Sequence, residues 1–180
     1  MDIKPYLLEK SDVLVDLMEG LETAVAANDE TESTAHVKKL NDLGNELVEL
    51  ILNLEGDDKA YAYFMLGSLC TALRMWAEAE DAYLHALETW PDHVGILNEL
   101  FISQYETGKY AEAKDTVQKS IQYGGETPEM IHNLAAAAWQ LGEKADAKML
   151  LFNAMAKYPK ERIILELMND FDQAENLNNG

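Results

Sequence analysis

Apolar and polar positions along this chain recur with a long period as well as a short one. From Tyr63 to Pro91 the stretch YFMLGSLCTALRMWAEAEDAYLHALETWP places Leu66, Gly67, Ala79, Tyr83, Ala86 and Pro91 at set offsets. The skeleton returns 34 residues later, and again after 34 more. Leu66, Leu100 and Leu134 stand in register, as do Ala79, Ala113 and Ala147. Tyr83 maps to Val117 and Leu151, Ala86 to Ser120 and Ala154, and Pro91 to Gly125 and Pro159. A period of this length predicts stacked helical repeats, because one helix pair cannot bury its apolar face alone.

The short period predicts the helices. In residues 1–58 two are legible. The first runs from about Pro5 to Ala27, with Leu7, Leu14 and Leu21 every seventh residue and Met18 and Val25 beside them. Pro5 suits a first turn, where its missing N–H costs nothing. The polar stretch NDETEST, 28–34, then offers Thr31, Ser33 or Thr34 as N-cap. The second helix runs to about Leu54. Its Leu40, Leu43, Leu47, Leu50 and Leu54 alternate spacings of three and four, a heptad seam. That seam predicts either a hairpin packed on itself and on the first repeat, or a dimerisation surface, since Val37, Val48, Ile51 and Leu52 widen the stripe.

Three repeats follow within 59–161, spanning 60–93, 94–127 and 128–161, each read as helix, short turn, helix. Gly108 and Gly142 mark the turn in the second and third. Arg74 holds that place in the first, so a distorted or 3₁₀-like ending is expected near Leu73 and Arg74. In the second repeat Phe101 stands where a small residue belongs and is expected to spread the pair or to fill space left by Ser120. Residues 162–180 carry one apolar stripe, Ile163, Ile164, Leu167, Met168 and Phe171, which reads as a capping helix fraying from about Gln173.

The pattern resembles the tetratricopeptide repeat. The first repeat matches its signature with Tyr63, Leu66, Gly67, Trp76, Ala79, Tyr83, Ala86 and Pro91. The second matches with Leu97, Leu100, Gly108, Tyr110, Ala113, Val117 and Ile121. The third matches with Ile131, Leu134, Ala135, Gly142, Ala147, Leu151, Ala154 and Pro159. The resemblance implies an all-α fold, a right-handed superhelix of stacked antiparallel helix pairs. It also implies that the first helix of each repeat lines a concave groove. The groove residues would be Tyr61, Phe64 and Ser68 from the first repeat, Asn98, Ile102 and Tyr105 from the second, and His132, Ala136 and Trp139 from the third. Converging aromatic and apolar side chains are what a peptide-binding surface needs, and Asn98, supported by His132, would bond an extended backbone. The competing expectation is that the N-terminal hairpin or the C-terminal helix buries them. Repeat proteins that grip acidic chaperone C-termini use Lys, Arg and Asn in the groove; Phe64, Ser68, Asn98 and Glu129 stand at those places here, so that cationic clamp is missing.

Charge narrows the partners. The chain carries 33 acidic against 14 basic residues, a net −19, and no basic stripe. Such a field disfavours nucleic acid and anionic membrane surfaces and favours an apolar or basic polypeptide. Over half of the net charge lies in residues 1–59. The lone Cys70 sits in an apolar stretch and reads as a small buried hydrophobe. There is no secretory signal and no run near the ~18 apolar residues of a membrane span, so a cytoplasmic location is expected. His36, His85, His93 and His132 are scattered, without metal-ligand spacing. No nucleophile has a local base and no glycine-rich phosphate loop is present. The expectation is a non-enzyme with no metal and no cofactor, binding another protein. Two other readings stand beside the groove. One is a chaperone resembling the class II chaperones of type III secretion. The other is an assembly subunit, a possible homodimer, docking through its N-terminal helices.

Overall fold

The computed structural model describes residues 3–178. Nine helices run through them: α1 (Lys4–Ala26), α2 (Glu30–Ile51), α3 (Gly56–Ala72), α4 (Trp76–Thr89), α5 (Val94–Glu106), α6 (Tyr110–Gly124), α7 (Pro128–Gln140), α8 (Lys144–Lys157) and α9 (Arg162–Asn178). Two compact units divide after Pro91: α1–α4 form one and α5–α9 the other. In the first, α1 and α2 pack on each other and both pack on α3, which pairs with α4. In the second, α5 pairs with α6, α7 with α8, and α9 lies on both α7 and α8.

One turn closes four helix pairs. At the end of α3, the Arg74 N–H donates to the Thr71 carbonyl (2.9 Å) and the Met75 N–H to the Cys70 carbonyl (2.8 Å). The same two bonds end α1 at Asn28 and Asp29, α5 at Gly108 and Lys109, and α7 at Gly142 and Glu143. This is the Schellman ending, which needs a residue with positive φ. Asn28 (56°), Arg74 (57°), Gly108 (76°) and Gly142 (82°) supply it. Arg74 therefore takes the left-handed conformation without distorting its helix, contrary to the 3₁₀-like ending expected. The turn is so short that the next residue is already the N-cap of the second helix. For α2 that residue is Asp29, whose Oδ1 accepts from the Thr31 and Glu32 N–H groups (3.1 and 3.0 Å). Thr31, Ser33 and Thr34, the caps read from sequence, lie inside the helix.

Each pair also has a close-contact seat sixteen residues apart. A Cβ on Gly67 would lie 2.5 Å from the Tyr83 ring, and one on Gly20 would lie 2.2 Å from the His36 ring. In α5–α6 the seat holds Phe101 and Val117, both buried in one cluster with Ala113, Met130 and Ala137. In α7–α8 it holds Ala135 and Leu151. Phe101 thus fills the space that a Tyr83-sized ring would have taken from the other helix. The Ser120 hydroxyl instead donates to Asn98 Oδ1 (2.7 Å).

The heptad seam of α2 is used inside the chain. Leu40 and Leu47 are wholly buried and Leu43 nearly so. Leu50 is half-buried, and Leu54 packs against the cluster of Leu7, Ile51 and Ala62. A dimer through Leu40, Leu43 and Leu47 would require unpacking α2. Tyr6 and Lys10 of α1 hold Glu46 of α2, Lys10 at 2.9 Å. At the other end, Ile164 and Phe171 of α9 are buried against Ile131, Ala138 and Leu151. The helix runs past Gln173, where fraying was expected, to Asn178. Lys148 of α8 bridges Asp172 and Glu175 there, both at 2.6 Å.

Candidate functional site

The residues expected to line a groove lie on the first helix of each pair, and their surroundings differ. On α3, Tyr61 packs against the cluster of Leu7, Ile51 and Ala62. Phe64 is half-buried between the Tyr61 and Tyr83 rings, 6.4 Å from each. The Ser68 hydroxyl donates back to the Phe64 carbonyl (3.0 Å). Tyr61 also borders a 240 Å³ apolar cleft with Leu7, Leu8 and Trp90, whose indole N–H donates to Asp57 (2.9 Å).

In the second unit, α5 and α7 lie side by side, and the Gln140 amide donates to the Tyr105 hydroxyl across them (3.2 Å). Ile102 is exposed on this face (37%). Tyr105 is half-buried, edge-on to Tyr110 at 5.2 Å and 5.6 Å from Phe101. Asn98 is half-buried, its Oδ1 taken by Ser120. His132 is half-buried with Nδ1 3.2 Å from Asn133 Oδ1. Ala136 is buried. Trp139 stacks on Phe171 of α9 at 3.9 Å and 9°, with the Lys144 ammonium 5.0 Å from its ring. Here α9 packs on the Trp139 position and leaves it half-buried. Of the residues expected on this face, Ile102 is exposed, and Asn98, Tyr105, His132 and Trp139 are half-buried.

The chemistry of the face is apolar and hydrogen-bonding. Burial, and secondarily the charge of Glu78, push the Cys70 thiol up to about 11, so it stays neutral. Among the described residues no three of His, Cys, Asp and Glu gather as a metal site, and no helix is long and apolar enough to cross a membrane. Residues 1–91 carry 19 acidic against 6 basic side chains, a net −13. Residues 92–180 carry 14 against 8, a net −6.

No family model and no curated protein sequence matches the chain. Solved structures do. A Podospora anserina chain of nearly identical TPR-like repeats shares 15% identity, covers 98% of this chain and 90% of its own, and superposes with a TM-score of 0.71. A tetratricopeptide repeat protein from Parabacteroides merdae shares 17%, over 93% and 71%, at 0.65. The first TPR of Spaghetti (RPAP3), bound to the HSP90 peptide SRMEEVD, shares 16%, over 67% and 95%, at 0.59. The chain has the tetratricopeptide-repeat fold.

Within that fold, α1–α2 has the turn and the seat of a repeat. The sequence period missed it for two reasons. Asn28 precedes Arg74 by 46 residues, not 34, because α2 and α3, which lie between them, are longer than the helices between the later turns. Its seat is also filled by His36, where an aromatic or large apolar residue is the signature. The signal that was present is local: Gly20 and His36 sixteen apart, flanking Asn28-Asp29.

Proposed function

We propose that this chain is a non-catalytic protein-interaction module that binds an extended apolar or basic segment along the face of α5 and α7. The observation that carries this is Ile102, exposed between half-buried polar side chains on a rigid helix pair. Tyr105 and His132 border it, and Asn98, with Oδ1 held by Ser120, turns an N–H donor to a ligand backbone. In the first unit Phe64 and Ser68 of α3 hold the repeat positions that Asn98 and Ile102 hold on α5, and Tyr61 that of Gly95. RPAP3 binds a peptide ending in acidic and apolar residues. The net −6 of residues 92–180, on top of the missing cationic clamp, favours a different ligand here.

Selection from a phage-displayed random 16-residue library tests the reading. Enriched peptides are expected to be apolar or basic and to lose binding to Ile102→Asp, whose side chain can point to solvent without disturbing the core. Peptides that bind Ile102→Asp as well as the parent, or no enrichment at all, would overturn it. Tyr105→Ala and Trp139→Ala are poorer probes, because both side chains also carry packing.

A further inference from the structure

The first unit holds a second opening, walled by helices that the groove does not use. A cleft of about 500 Å³ lies between α2 and α4 over α3. It exists because both walls present small side chains: Gly44 on α2, Ala77 and Ala82 on α4. The floor is apolar, with Leu66, Leu69 and the neutral Cys70. Val48 (49% exposed) and Met75 (38%) stand at its mouth. The rest of the rim is acidic or amide: Glu78 and Asp81 from α4, Asn41 and Asn45 from α2. No lysine or arginine lines it. His85, stacked on Tyr63 at 4.7 Å, approaches Asp81 only to 3.9 Å.

We infer that this cleft is a docking site for a basic amphipathic helix of a partner protein, distinct from the face of α5 and α7. Two helices, α2 and α4, that each pack on α3 but not on each other leave a trough over it that seats another helix through its i, i+4 apolar side chains. The volume suits one or two large side chains. The sign of the flanks follows from the rim and from the net −13 of residues 1–91, which attract Lys and Arg and repel another copy of this acidic unit.

The test uses the full chain and an 18-residue Leu–Lys amphipathic helical peptide, with a Leu–Glu peptide of the same apolar face as comparison. Fluorescence anisotropy should show the Leu–Lys peptide bound and the Leu–Glu peptide at least about tenfold weaker. Val48→Asp, and separately Glu78→Lys with Asp81→Lys, should each weaken the Leu–Lys peptide about tenfold or more, while Ile102→Asp leaves it unchanged. Val48, Glu78 and Asp81 are exposed, so these variants should fold, and circular dichroism checks that they do. Three results would overturn the assignment. One is Leu–Lys binding indifferent to Val48→Asp and to the charge reversal. Another is binding lost only in Ile102→Asp, which would place the peptide on the α5–α7 face. The third is a dimer on a sizing column that Val48→Asp dissolves, which would make a second copy the occupant. Failure here leaves the library result on Ile102 untouched, so the two sites are judged separately.

Discussion

The pairs α3–α4 and α5–α6 solve one packing problem in opposite ways. In α3–α4 the first helix gives up its side chain, Gly67, and the second fills the seat with Tyr83, wholly buried, its hydroxyl 3.0 Å from Thr71 Oγ1. In α5–α6 the first helix supplies the ring, Phe101, and the second recedes to Val117. The pair α7–α8 splits the volume as Ala135 and Leu151. What the repeat preserves is a filled seat, divided differently between the two helices, as expected of an interior packed to crystal density. The turns differ in the same spirit: Arg74 and Gly108 adopt one backbone conformation, at a cost in the first that the second does not bear.

The largest effect should come from emptying a seat. Phe101→Ala removes a buried ring facing a small partner and is expected to cost about 3–5 kcal/mol, read from urea denaturation. A loss below 1 kcal/mol would mean the pair collapses onto Val117 and would break the comparison. Overfilling is next. Gly67→Ala drives a methyl into the Tyr83 ring and should cost about 1–3 kcal/mol. Combining it with Tyr83→Leu copies the third repeat's seat, so the double variant should be more stable than the two single losses added together. Strict additivity would show that Gly67 and Tyr83 are not one seat.

Smaller effects sharpen the turn and the hairpin. Arg74→Gly should stabilise by about 0.5–1 kcal/mol, since glycine adopts the left-handed region freely but loses more entropy on folding. In the hairpin, hydrogen bonds from Tyr6 first and then Lys10 hold the Glu46 carboxyl below its ordinary value. A depressed carboxylate contributes stability above its unfolded pKa and loses it as pH falls through the folded one. Glu46→Gln should therefore cost about 0.5 kcal/mol at pH 7, a half-exposed pair being screened. The difference from the parent should fade in acid, below the ordinary glutamate range. The hydrogen bond that Lys10 donates to Glu46 in turn raises Lys10, whose contribution is present at neutral pH and disappears only above the ordinary lysine range.

Much of the fold was legible because stacking is written in repeated small and large residues. Ala79, Ala113 and Ala147 are all wholly buried, and their period could be read directly. The N-terminal pair was hidden by helix length and by a histidine in the ring position. The seam leucines were visible as a stripe, but a stripe does not say what covers it; here α1 and α3 pack on α2, and Leu40, Leu43 and Leu47 are buried. The binding face was legible as positions but not as exposure. Whether Trp139 is open depends on Phe171, thirty-two residues away, and on the route α9 takes across α7. The cleft over Cys70 left no signal at all, because it is made by what Gly44, Ala77 and Ala82 lack.

On the proposed reading Ile102 serves recognition and not stacking, and that separation is the claim most worth testing. The direct measurement pairs peptide affinity with urea denaturation in Ile102→Asp, using a peptide selected on the parent chain. The expected result is lost binding with an unchanged denaturation midpoint. Retained binding, or binding lost only together with the fold, would contradict it.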